Sequence, residues 1–470
     1  MLKPEHLPTL SREELVALVA ELQRQIAELT ASNEALRAEI DQLKRGGKRQ
    51  ASPFSKGTRV AEPKPPGRKP DSGTFRYREA PPPEATTAPP VDVKVTLAAC
   101  PACGGPLAEE RLDVASQTEI PERPRPQVTQ YRVWVCRCTV CGHRVRGHHP
   151  DLAPDQCGAT AHRLGPRVMA AAHVLHYGVG IPVRKVPAVL AALTGVRLTQ
   201  GALTQDALRR AAGAVGTAYE QVRAAVPKAP AVHTDDTGWR VGGTPAHLMA
   251  FETAAATVYQ IRPRHRHQEV QEVIPADYAG VMVTDRGRSY DAQAFDRVDQ
   301  QKCLAHILRS ISQVVETKTG RARDFGEQLK ALLQEALALW HAHHDGGVTE
   351  VKVEAEALQA ELTYSLRDRR LQDPDNQRLL NELGWHHDRG HLLRFLADPW
   401  IEPTNNRAER ALRPAVIARK VSHCSKNDQG AHAFAAFTSV VRTLAKHSAD
   451  LLVEGLYHLF RTPSLPGVPP

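Results

Sequence analysis

The sequence predicts a mixed α/β catalytic core with a helical insertion, preceded by a coiled coil, a metal-binding module and a helical region. Three observations carry this: short apolar runs ending in acids between residues 230 and 311, an 85-residue stretch (312–396) of helical periodicity, and an N-terminal leucine heptad. At 470 residues the chain exceeds one compact domain. With 41% apolar and 24% charged residues, it reads as soluble. No apolar run reaches membrane-spanning length, and the start Met-Leu-Lys-Pro-Glu-His lacks a signal-peptide layout. The cytoplasm is the expected compartment, and a membrane is not an expected partner.

Residues 11–45 begin with a capping box at Ser11 and Glu14. Leu15, Leu22, Leu29, Leu36 and Leu43 then recur every seven residues, with Val19, Ile26, Asn33 and Ile40 between them. Leu at d, β-branched residues at a and one Asn at a favour a parallel two-stranded coiled coil, hence a homodimer. Residues 46–94 are Pro-rich and basic. From Lys44 to Arg78 there are eleven Lys or Arg against two acids, which accounts for the whole net charge of +9. Such a tail buries too little apolar surface to fold and suits a polyanion. Arg68 and Lys69, within Pro65-Pro66-Gly67-Arg68-Lys69-Pro70, have the look of a minor-groove hook.

Residues 95–150 carry two knuckles, Cys100-x-x-Cys103-Gly104 and Cys138-x-x-Cys141-Gly142. Four thiolates so spaced make a closed tetrahedral Zn²⁺ site, with Cys136, His143, His148 and His149 as substitute ligands. Gln127 to Val135 alternates as hairpin strands do. Residues 160–226 are helical: Val183 to Leu193, a Thr194-Gly195-Val196 turn, then a helix capped by Thr199 and reaching Arg210. This is a helix-turn-helix layout, in which Arg184, Lys185, Arg197, Arg209 and Arg210 are candidate phosphate contacts.

The core spans 230–311 and 397–445. Ala231 to His233, His247 to Phe251, Thr257 to Ile261 and Val281 to Val283 read as strands, with a helix from His267 to Ile274 before the fourth. Val298 to Leu304 is a fifth strand entering a helix through Ile311. This is the order of an RNase H-like fold, and 312–396 is an insertion before its last helix.

Asp235 closes the first strand and Asp285 the fourth, so neighbouring strands would bring both to one metal. Asp236 points away by alternation, and Asp291 is the fallback for Asp285. On a helix starting near Thr404, Asn405, Asn406, Glu409 and Arg413 share a face, so two amides and a cation can orient the Glu409 carboxylate. Glu402 and Asp398 are weaker candidates. Three carboxylates suit Mg²⁺ (or Mn²⁺), and paired ions suit in-line phosphoryl transfer. Cys303 and His306 are read as packing beneath the acids, with metal binding as the alternative.

Asp-Asp-Thr-Gly-Trp-Arg, which includes Trp239, Thr-Asp-Arg-Gly, Cys303-Leu304-Ala305-His306, and Thr-Asn-Asn-Arg-Ala-Glu-Arg-Ala-Leu-Arg-Pro, which includes Arg410 and Arg413, with Arg419-Lys420 after it, resemble the bacterial insertion-sequence transposase family numbered sixty-six. The order of zipper, knuckles and helical segment resembles that family over nearly the whole chain. The resemblance implies a DDE transposase of the bacterial nucleoid in which Asp235, Asp285 and Glu409 bind two Mg²⁺ ions. It implies double-stranded DNA, both transposon ends and target, as substrate, and two small accessory proteins of the element as partners. Two positions depart from the family's pattern: Asp236 stands where it usually has Glu, and Thr404 where it usually has Asp, a change that capping tolerates. A catalytically silent dimeric DNA-binding regulator and a structure-selective nuclease are the competing classes.

Overall fold

The computed structural model describes residues 162–462 except 347–350, 368–369 and 399, together with 99–108, 126–149, parts of 12–32 and a few isolated positions. The chain divides into two units, Met1–Ile120 and Pro121–Pro470.

In the first unit, residues 19–30 are helical. Val19, Leu22, Ile26 and Leu29 lie exposed along it, and Arg24 pairs with Glu21 at 2.6 Å and Glu28 at 2.5 Å. Leu15, Asn33, Leu36, Leu43, Arg68 and Lys69 lie outside the described residues. The first knuckle closes through Gly104 N–H to the Cys100 carbonyl at 2.9 Å, with Gly104 at φ 75°.

The second unit opens on a hairpin, β1 (Val135–Arg137) with β2 (Arg144–Arg146). The expected strand over Gln127 to Val135 is therefore displaced. The second knuckle occupies the hairpin tip, so pairing begins at Val135 opposite Arg146. Four helices follow: α1 (Pro166–His173), α2 (Val186–Thr194), α3 (Gln200–Ala211) and α4 (Ala214–Ala225). Gly195 ends α2 in the left-handed region at φ 78°, and the Thr199 hydroxyl caps α3 by accepting the Ala202 N–H at 3.1 Å.

The sheet has the order β5-β4-β3-β6-β7, built from β3 (Ala231–Val241), β4 (Thr244–Glu252), β5 (Thr257–Arg262), β6 (Val281–Thr284) and β7 (Asp299–Lys302), with α5 (His267–Gln271) between β5 and β6. Three antiparallel strands followed by two parallel ones make a five-stranded mixed sheet compatible with an RNase H-like core. The first strand does not close at Asp235 as expected; it continues to Val241. Gly242 and Gly243, at φ 57° and 87°, supply the two-residue turn that zips β3 to β4 from Val241–Thr244 back to His233–Glu252.

Helices cover both faces. On one, Val232, Met249, Phe251 and Met282 pack with α4, α12 (Asp428–His447) and α13 (Leu452–Arg461). On the other, Trp239, Leu248, Ala250 and Tyr259 meet Leu412 and Ala415 of α11 (Asn406–Ser422) and two alanines of α12. Val281 and Val283 face a third cluster, formed by α6 (Leu304–Glu316), α7 (Gly320–His344), α8 (Lys352–Leu366), α9 (Pro374–Asp388) and α10 (Arg394–Ala397). Among the described residues no helix is long and apolar enough to cross a membrane.

Candidate active site

β3 and β6 pair in parallel from Ala231–Val281 to His233–Val283. Two residues beyond the last of these pairs, at the same offset of fifty, stand Asp235 on β3 and Asp285 just past the end of β6. Equal offset in a parallel ladder means the same face, and it is the face on which α11 lies. The carboxyl of Asp235 is pushed up to about 6, first by burial and then by the negative charges of Asp285, Asp236 and Glu409, against a lowering bond from the Asp236 N–H at 2.8 Å. The charges of an acid past the end of β6 and of one on α11 thus act on a half-buried acid of β3. Asp285 is locally braced: its Oδ1 accepts the Gly287 N–H at 2.8 Å. A Cβ on Gly287 would sit 2.9 Å from that oxygen and 3.3 Å from the Tyr290 ring, so only glycine fits without movement.

Asn405, fully buried, ties the helix to the strand. Its side-chain amide donates to the Thr234 carbonyl at 2.8 Å, one residue before Asp235, and its backbone N–H reaches the Cys303 sulfur at 3.2 Å. The amide is therefore spent on the strand backbone and not on the Glu409 carboxylate. Asn405 is also the N-cap of α11, which begins at Asn406, and no side chain caps it, so Thr404 does not take the expected capping role. Asn406 and Arg413 are exposed. Cys303, buried at the start of α6, is pushed up by burial, but bonds from His306 and the Asn405 N–H outweigh this and leave the thiol lowered. Its bond raises His306, whose Nε2 stands 3.7 Å from Glu409 Oε1. The pair links the start of α6 to α11 through the Asn405 N–H and Glu409.

Sequence reasoning overlooked Lys302. Its ammonium is fully buried, 3.1 Å from Thr284 Oγ1, 2.8 Å from Gln300 Oε1 and 2.7 Å from Asp291 Oδ1. Burial lowers its pKa against the pull of Asp291 and Asp285. Asp291 is thus the counter-ion of a core lysine rather than a free substitute for Asp285. Glu402 is bound to Arg407 at 2.5 Å and Asp398 stands 3.6 Å from Arg394.

Asp236 turns to the opposite face, where its two oxygens meet His247 Nδ1 at 2.8 Å and His265 Nδ1 at 3.0 Å. Among the described residues this is the one group of three His, Cys, Asp or Glu whose ligand atoms all lie within 4.8 Å of one another. The signal for it was the Gly-Gly turn, which fixes the register that makes Asp236 and His247 diagonal neighbours on one face.

Trp239 is a core residue, donating from Nε1 to Ser425 Oγ at 3.2 Å and tilted against Phe434. Arg419 is tied to β3, bonding the Gly238 carbonyl and, at 3.2 Å, the Thr237 hydroxyl. Arg410, Arg413 and Lys420 are exposed on α11, as are Arg184, Lys185 and Arg197 in the α2–α3 region. Arg209 is exposed but pairs with Asp206 at 2.5 Å. Arg210 is largely buried, 2.7 Å from Asp206 and over the Phe460 ring, which spends it inside the fold rather than on phosphate. Backbone N–H groups of Ala102 and Cys103 lower the Cys100 thiol, and those of Cys141 and Val140 lower Cys138; Cys103 and Cys141 are exposed.

A family model described as Transposase IS66 family matches residues 162–433, more than half of the chain. No curated protein matches it.

Proposed function

The chain belongs to the IS66 family of transposases, and we propose that Asp235, Asp285 and Glu409 form the centre with which it cuts and joins DNA. The observation that supports this most is that Asp235 and Asp285 each lie two residues beyond the last parallel β3–β6 pair, with Asp285 and Glu409 close enough for both their charges to act on Asp235. The donor set fits Mg²⁺ (or Mn²⁺): three hard carboxylates, of which Asp235 is raised first by burial and then by the charges of the others, a charge excess that a dication relieves. When bound by these three residues, two such ions stabilise the attacking and leaving oxygens of an in-line displacement at phosphorus.

The protein's own contribution is positional. Asn405 and Cys303 fix the approach of α11 to β3, Gly287 fixes Asp285, and exposed Arg410, Arg413 and Lys420 draw the phosphate backbone toward the acids. In this reading water attacks the phosphodiester at a transposon end, and the freed 3′-hydroxyl then attacks target DNA in the same cleft. The α2–α3 helix pair contributes Arg184, Lys185, Arg197 and Arg209 to end binding, with Arg68 and Lys69 in the basic tail. Each knuckle offers a pair of thiolates to Zn²⁺, Cys100 with Cys103 and Cys138 with Cys141, and the leucine register makes the dimer that pairs two ends.

Purified protein with Mg²⁺ and DNA carrying its own element's ends tests the assignment. Strand cleavage and joining are expected, with loss of both in Asp235→Ala, Asp285→Ala and Glu409→Ala. Undiminished cleavage in any of the three would remove that acid from the centre. DNA binding with no cleavage by the unaltered chain would instead assign the silent regulator.

A further inference from the structure

We propose that Asp236, His247 and His265 form a second cation site, on the opposite face of β3 from the acids, that takes a borderline dication of the Zn²⁺ type. Three segments supply its ligands: β3, β4 and the loop after β5. Two imidazoles and one carboxylate select zinc-like ions over Mg²⁺, which prefers oxygen ligands and water.

The spacing fits. Tetrahedral metal–ligand bonds of about 2.1 Å place neighbouring ligand atoms about 3.4 Å apart, so the contacts from Asp236, 2.8 Å to His247 and 3.0 Å to His265, need open by only about half an ångström to admit the ion. The side chains of His265, Asp236 and His247 are 11%, 26% and 40% exposed, so the cluster is walled at His265 and open to solvent ligands at His247. Arg266, next to His265, is paired with Glu269 at 3.1 Å.

The placement gives the site a purpose. The N–H of Asp236 donates to Asp235 Oδ1 at 2.8 Å, and the His265 carbonyl accepts from Ser289 Oγ at 2.7 Å, in the loop that follows Asp285. An ion held here stiffens the backbone on which Asp235 is carried and the loop beside Asp285. His247 and His265 are thus positioning residues for the acids.

Zinc content settles it. Full-length protein is saturated with Zn²⁺, dialysed and assayed for metal per chain, alongside His247→Ala/His265→Ala and the milder His247→Gln. The knuckle cysteines are present in every variant, so their zinc cancels. The double variant is expected to hold one zinc fewer per chain, and zinc K-edge absorption is expected to lose imidazole scattering relative to the unaltered protein. His247→Gln, which keeps the bulk and polarity of the rim, is expected to weaken zinc retention at least about tenfold. The same zinc count and spectrum in all three would overturn the proposal and leave a hydrogen-bonded triad. Asp285→Asn is expected to keep the full count, which separates this site from the catalytic acids.

Discussion

Replacing Asp235 by Asn separates the energetic cost of the acid cluster from its use. The carboxyl sits at about 6 where an ordinary aspartate sits at 3.8. A decade of pKa is worth about 1.4 kcal/mol, so the gap corresponds to about 3 kcal/mol, reduced to about 1–3 kcal/mol because the group is only partly shielded from water. A raised folded-state value means that the neutral form is the favoured one. Its contribution is complete below pH 3.8 and is lost as pH rises through about 6. At pH 8 without divalent cations the ionised group therefore opposes folding, and Asn removes that opposition while its side-chain oxygen still accepts the Asp236 N–H. The expected result is a melting temperature about 3–6 °C above the unaltered chain at pH 8 in EDTA, vanishing at pH 3.5. Differential scanning fluorimetry at the two pH values reads it, alongside complete loss of strand cleavage. A variant equally or less stable at pH 8, or a gain that persists at pH 3.5, would refute the claim that crowded charge and burial set the acid's pKa.

Asn405→Ala strips the Thr234 carbonyl of its donor; a loss of about 1–3 kcal/mol in denaturant unfolding and at least about a tenfold drop in cleavage rate with unchanged DNA affinity are expected. Gly287→Ala pushes a methyl group to within 2.9 Å of Asp285 Oδ1; cleavage should fall at least about tenfold while the melting temperature moves little. Lys302→Met leaves Asp291 without its partner and should cost about 3 kcal/mol, with Asp291→Asn in the same chain recovering much of it in a double-mutant cycle.

The neighbouring placement of Asp235 and Asp285 was legible in the sequence because each follows a short apolar run, and strand order then brings two such runs together. The full length of β3 was not. Asp-Asp-Thr-Gly has poor strand propensity, and only pairing with β4 across the Gly242-Gly243 turn overrides it. Asp236 was read correctly as turned away from Asp235, yet its destination depended on His265, twenty-nine positions on in a loop that periodicity does not place. Lys302 was invisible for a different reason. A lysine at a strand end reads as solvated, and its burial follows from Asp291, Thr284 and Gln300 converging from separate segments. Arg210 shows the same limit in reverse: a basic residue in the second helix of the pair looks like a phosphate contact until Asp206 and Phe460 claim it.

The alternation along β6 bears on how divisible this chain is. Met282 belongs to one core, while Val281 and Val283 are roofed by the helices between residues 304 and 396. Those helices interrupt the sheet's sequence, but they cannot be cut out as a passenger. A shortened chain joining α6 directly to α11 would expose the strand that delivers Asp285. Attempts to reduce this protein to a minimal nuclease should therefore trim from the N-terminus and keep the helical segment whole.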